Sequence, residues 1–97
     1  MRLAKLVPAR DGVHKYIAYF ETDEGKEKKV RFGAKGYTDF TKSKGKDEAR
    51  KQRYIDRHRE RENWNDPMTA GALSRYILWN KPTIAASVAD YKRRFNL

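Results

Sequence analysis

Two short runs of β-branched and aromatic residues, Val13 to Glu21 and Lys26 to Phe32, flank the polar tetrad Thr22-Asp23-Glu24-Gly25, and this arrangement constrains the fold more than any other feature. Strand-forming side chains on both sides of a short Gly-containing turn predict a β-hairpin. In the first run His14, Tyr16, Ala18 and Phe20 share one face, while Val13, Lys15, Ile17, Tyr19 and Glu21 share the other. Both faces are partly apolar, and one is expected to meet a helical layer. Leu3 to Val7 supply a third strand, closed by Pro8, which brings no N–H to a ladder, and followed by the turn residues Asp11-Gly12. Residues 1–33 therefore read as a hairpin or three-stranded antiparallel meander.

Beyond the strands the hydrophobic period changes. Gly36 to Thr41 has no clear period and is expected to be an ordered connection, whereas Lys42-Ser43-Lys44-Gly45-Lys46 has the composition of a linker, so residues 34–46 form a basic connection. Residues 47–97 read as three helices. The first runs from about Asp47 to Glu62, a stretch free of Gly and Pro and rich in helix formers. Asp66-Pro67 predicts the start of the second, with Asp as cap and Pro at the first helical position, and Met68, Ala72, Leu73, Tyr76 and Ile77 give it one apolar side ending near Trp79. Asn80-Lys81-Pro82 closes it. Thr83 caps a third helix whose stripe Ile84, Val88, Tyr91 and Phe95 is expected to meet the second helix and the sheet. The fold class expected is α+β, in a single domain.

A chain of 97 residues with 38% hydrophobic and 37% charged side chains has room for one thin core. Its aromatic content argues for a folded module over a disordered basic tail. With no cysteine, disulfides, thiolate metal sites and cysteine nucleophiles are all excluded. No apolar stretch approaches the roughly 18 to 20 residues of a membrane span, and the N-terminus lacks a signal-peptide core, so neither membrane insertion nor secretion is expected.

Lys and Arg number 23 against 13 acidic residues, a net charge of +10, which points to a polyanionic partner. On the first helix Arg50, Arg53, Arg57 and Arg61 fall within an arc of about 80°. Such stacked like charges cost an isolated helix a few tenths of a kcal/mol per pair, unless Asp56, Glu60 and Glu62 neutralise them locally or a ligand compensates. Lys35, Lys42, Lys44 and Lys46 precede the arc, and Tyr37 among them is a candidate for stacking on unpaired bases, as are Tyr16, Tyr19 and Phe40. The excess charge is nonetheless spread along the chain, which suits non-specific phosphate contact better than one sequence-reading helix. Arg57 to Asp66 superficially resembles a His- and Asn-containing nuclease site, but a second metal-ligand His is missing, so no enzyme, metal site or cofactor is expected. His58, one turn from Tyr54, reads as a packing residue, and Trp64, Tyr76 and Trp79 as packing or interface anchors.

The ordered blocks Gly36-Tyr37-Thr38-Asp39-Phe40-Thr41, Arg53-Tyr54-Ile55-Asp56-Arg57-His58, Glu62-Asn63-Trp64-Asn65-Asp66-Pro67, Thr69-Ala70-Gly71 and Leu78-Trp79-Asn80-Lys81-Pro82-Thr83 resemble a family of short basic proteins encoded by large DNA viruses. The resemblance covers about residues 36 to 88 and leaves the hairpin outside its matching part. It implies a viral setting, the virion or the cytoplasm or nucleus of an infected cell, and carries over no site residues. Two functions fit: a nucleic-acid-binding protein, most readily for DNA, that uses Arg50, Arg53, Arg57, Arg61, Lys35, Lys42, Lys44, Lys46 and Tyr37, or a minor capsid-associated protein meeting acidic surfaces of larger capsid proteins. Self-association is left open.

Overall fold

The computed structural model describes every residue from Met1 to Leu97. Its strands are β1 (Arg2–Pro8), β2 (His14–Glu21) and β3 (Glu27–Ala34), joined as an antiparallel meander in the order β1-β2-β3. The turn chemistry is local. Asp11 accepts the N–H groups of Val13 at 2.9 Å and His14 at 2.8 Å, and these bonds, His14's first among them, hold its carboxyl far below the usual range. At the second turn Thr22 Oγ1 accepts from the Lys26 N–H at 3.1 Å.

Leu3 and Leu6 are an odd number of residues apart, so an unbroken strand would send them to opposite faces. The pairing of β1 with β2 shifts between Leu3 and Lys5, leaving Ala4 as an extra residue. That bulge lets both leucines face the core, Leu3 opposite Phe20 and Leu6 opposite Ala18. Of the two partly apolar faces of β2, the one carrying His14, Tyr16, Ala18 and Phe20 is the inner one: Ala18 and Phe20 are fully buried, and Phe32 of β3 joins them.

The helices depart from expectation at their ends. Helix α1 (Glu48–His58) begins after Asp47, whose side chain accepts from the Arg50 N–H, but it stops a turn earlier than predicted. Glu62 folds back instead, accepting from the Trp64 indole at 2.8 Å and lying 3.2 Å from His58 Nδ1. The second helix also starts later than Asp66-Pro67 suggests. Asp66 receives the Met68 N–H in a turn of its own, and Thr69 is the cap of α2 (Ala70–Leu73). Without a break α2 becomes a π-helical stretch (Ser74–Leu78), closed by the Trp79 N–H on the Ser74 carbonyl at 3.1 Å. Bonding from i to i+5 aligns residues five apart, so Leu78 joins Leu73 and Ile77 in the core.

Thr83 caps α3 (Ile84–Phe95) as predicted, accepting from the Ala86 N–H at 3.2 Å. Its stripe packs against the π-helical stretch, with Tyr91 fully buried in the core that the sheet shares and Ile84, Val88 and Phe95 packed on that core. The direct contact with the sheet expected from the sequence is not one of its main contacts. The Lys42 to Lys46 segment is no free linker. Ser43 and Gly45 donate to the Asp39 and Phe40 carbonyls, and Phe40 is buried, its N–H bonded to the Leu78 carbonyl at 3.1 Å.

Candidate nucleic-acid interface

Helix α1 is held to the rest of the molecule by its apolar flank. Tyr54 stacks on Trp79 with centroids 4.7 Å apart and planes 9° from parallel, and on its other side His58 stacks at 4.4 Å. Lys51 donates to the Asn80 carbonyl at 2.8 Å, with its ammonium 4.6 Å from the Phe40 ring. Burial, reinforced by the nearby Glu62 carboxylate, pushes the Tyr54 hydroxyl well above its ordinary range, against the opposing pull of Arg75, Ser74 and Arg57. Docking by this flank turns the arginine side of α1 toward the end of the sheet.

Between them lies a cavity of about 650 Å³, lined by Arg50, Arg53 and Arg57 of α1, the three stacked rings, Lys15 and Gly33 of the sheet, and Ala70, Gly71 and Ser74. Tyr37, 71% exposed, and Asp39 complete its wall. Its two carboxylates are already committed. Glu62 holds His58 and Trp64, and Asp39 is ion-paired with Lys15 while accepting from the Thr41 hydroxyl and the Lys42 N–H. Burial pushes the Asp39 carboxyl up, but the Lys15, Thr41 and Lys42 hydrogen bonds outweigh it and leave it below the ordinary range. Arg50, Arg53 and Arg57 have no carboxylate at ion-pair distance. The local neutralisation open to them in the sequence does not occur: Asp56 accepts from Gln52 at 2.9 Å.

A second opening, of about 670 Å³, is lined by Lys35, Lys42 and Lys44 together with the start of α3. Lys15 and Asp39 line both cavities, so their ion pair is the partition between an arginine side and a lysine side. Seven of the nine expected site residues thus gather around one ion pair, while two do not. Arg61 lies beyond the end of α1 and is exposed, and Lys46 is exposed outside both openings. Of the other stacking candidates, Phe40 belongs to the interior, and Tyr16 is half-buried against Phe32 at 5.9 Å.

Sequence reasoning missed three groups of residues. Lys15 read only as a strand residue sharing a face with Val13, Ile17, Tyr19 and Glu21, yet its ammonium is drawn in by Asp39, 24 positions away. Arg75 stacks over the Trp64 and Tyr76 rings and donates to the Trp79 carbonyl at 2.8 Å, steadying the ring that carries Tyr54. On the outer sheet face the register aligns Lys5, Tyr19 and Lys29 in one row and Val7, Ile17 and Arg31 in the next, a further basic surface. Strand alternation was the signal for that surface. Trp64, Tyr76 and Trp79 form no exposed patch, since all three are half-buried.

No helix is long and apolar enough to cross a membrane. No curated protein and no solved structure matches the chain. One family profile does, over residues 4–58, taking in most of the sheet, Lys15, Asp39 and the helix that carries Arg50, Arg53 and Arg57, but not the Trp79 side of the cavity. With more than half its length matched, the chain belongs to DUF5754, a family of unknown function.

Proposed function

We propose that this protein binds nucleic acid, DNA in the first instance, through phosphate contacts that carry no base sequence, in the setting of a large DNA virus and without a catalytic step. The observation that carries the reading is the trio Arg50, Arg53 and Arg57, which face one cavity with no carboxylate partner. Guanidinium groups in that state are suited to bidentate phosphate contact. Lys35, Lys42 and Lys44 across the Lys15–Asp39 partition extend the same positive track. Counterion release rewards each phosphate neutralised along it.

The test is a salt titration of wild type and the double variant Arg53→Glu, Arg57→Glu against a short mixed-sequence duplex and its single strand. Both arginines are exposed, so the variant is expected to fold normally. For wild type, log affinity should fall linearly with log salt, and the variant's slope on the duplex should be shallower by about two. Equal binding by variant and wild type removes the arginines from the reading. Absence of wild-type binding at about 50 mM salt overturns it and makes an acidic protein surface the partner to pursue.

A further inference from the structure

Resting on that reading, we infer that the arginine cavity receives an unstacked base of a single strand whose phosphates run along α1. The arginines alone do not require this, since phosphates bind open surfaces as well. Three features of the cavity go further.

The first is its aromatic wall. His58 and Trp79 each stack on the buried Tyr54, which leaves Tyr54 no free face. All three rings line the space that Arg50, Arg53 and Arg57 line, so the half-buried Trp79 and His58 are the rings left to meet a base. Every base has a π-face, and stacking on protein aromatics is how single strands are held without regard to sequence. The second is size: about 650 Å³ falls within the roughly 300–1,000 Å³ of pockets that enclose small organic ligands and exceeds what a lone phosphate fills. The third is the span of the positive edge. From Arg50 to Arg57 the helix rises about 10 Å, longer than one phosphate group and suited to consecutive phosphates of a chain. An aromatic wall beside an extended cationic edge matches a strand that turns one base inward while its backbone passes outside. Tyr37 stands at the rim, where the neighbouring base would lie.

The inference separates from phosphate binding in one experiment on the full chain. An end-labelled oligothymidylate and an abasic strand with the same number of phosphates are titrated at low salt, following label anisotropy for binding. Intrinsic fluorescence of a Trp64→Phe variant, in which Trp79 is the remaining indole, reports stacking. The expected result is that both strands bind, that oligothymidylate binds at least about fivefold more tightly, the equivalent of one stacked base, and that it alone quenches Trp79. Wild-type affinities for the two strands give the same ratio should the Trp64 substitution perturb the fold. Equal affinities with no difference in Trp79 emission would overturn base insertion while leaving phosphate binding intact. Failure of both strands to bind would overturn the phosphate reading itself.

Discussion

Replacing Lys15 by Met tests the ion pair that partitions the two openings. Asp39 is 4% exposed and the Lys15 side chain 13%, so the pair is largely withdrawn from water. Methionine retains much of the aliphatic stem, which packs beside Gly33, and removes the charge. The orphaned carboxylate keeps the Thr41 hydroxyl and the Lys42 N–H but loses its cation. Breaking a buried pair in this way costs about 3–5 kcal/mol. Protonation sets a ceiling: moving a carboxyl of ordinary pKa to its neutral form at pH 7 costs about 4 kcal/mol, three units at about 1.4 each. We expect about 3 kcal/mol. The pH dependence identifies the cause. In wild type the carboxyl lies below its ordinary 3.8, so its contribution is present above that value and is lost as pH falls through the folded-state pKa. In the variant, burial without a cation raises the pKa above the unfolded value, so the penalty is present at neutral pH and fades as pH falls toward 4. Urea unfolding of both proteins at pH 7 and pH 4.5, read by tryptophan fluorescence, should show the gap narrowing at the lower pH. A loss under about 1 kcal/mol at pH 7, or a gap unchanged by pH, would refute the assignment of a stabilising pair.

Two further predictions concern how the sheet and helices are locked together. A Cβ at Gly33, whose φ is +79°, would lie 2.9 Å from Leu78 Cδ1 and 3.0 Å from Lys15 Cβ, whereas Gly12, at φ +76°, has open space around it. Gly33→Ala should therefore lose more stability than Gly12→Ala, the excess being the cost of separating β3 from the π-helical stretch, and more than about 1 kcal/mol in total; equal losses in urea melts would show that backbone strain alone matters. Thr83→Ala removes the acceptor for the Ala86 N–H and should cost about 1 kcal/mol, while Thr83→Ser, which retains that oxygen, should cost much less.

Both hairpin turns and all three strands were legible because their signals are local: Asp11-Gly12 and Thr22 to Gly25 punctuate runs of alternating side chains. The helix ends were harder because helix propensity is a weak prior where several polar contacts compete. Arg59 to Glu62 are good helix formers, yet Glu62 engages His58 and Trp64 beyond the end of α1. Pro67 read as a helix start, but its carbonyl accepts the Tyr91 hydroxyl from α3, a tie no local rule supplies. The arginine arc needed only the helical angle, and three of its four members share a cavity. What they face was hidden, since Lys15, Gly33, Ser74 and Trp79 arrive from segments far apart in the chain and meet only through tertiary packing.

The fold makes that meeting depend on the π-helical stretch. The Trp79 N–H bonds to Ser74, setting the ring against Tyr54, while the Leu78 carbonyl receives both the Phe40 and Thr41 N–H groups and so anchors the segment that carries Asp39. One widened turn thereby fixes the aromatic wall and supports the partition. On the opposite wall, the mutual repulsion of three guanidiniums, a few tenths of a kcal/mol per neighbouring pair in an isolated helix, is not relieved by a carboxylate at ion-pair distance. A polyanion removes that repulsion on binding. A ligand selective for the folded chain also raises its stability, by about 2.7 kcal/mol at a concentration one hundred times Kd. On the proposed reading, thermal melts with and without oligothymidylate should therefore show the bound form unfolding at the higher temperature.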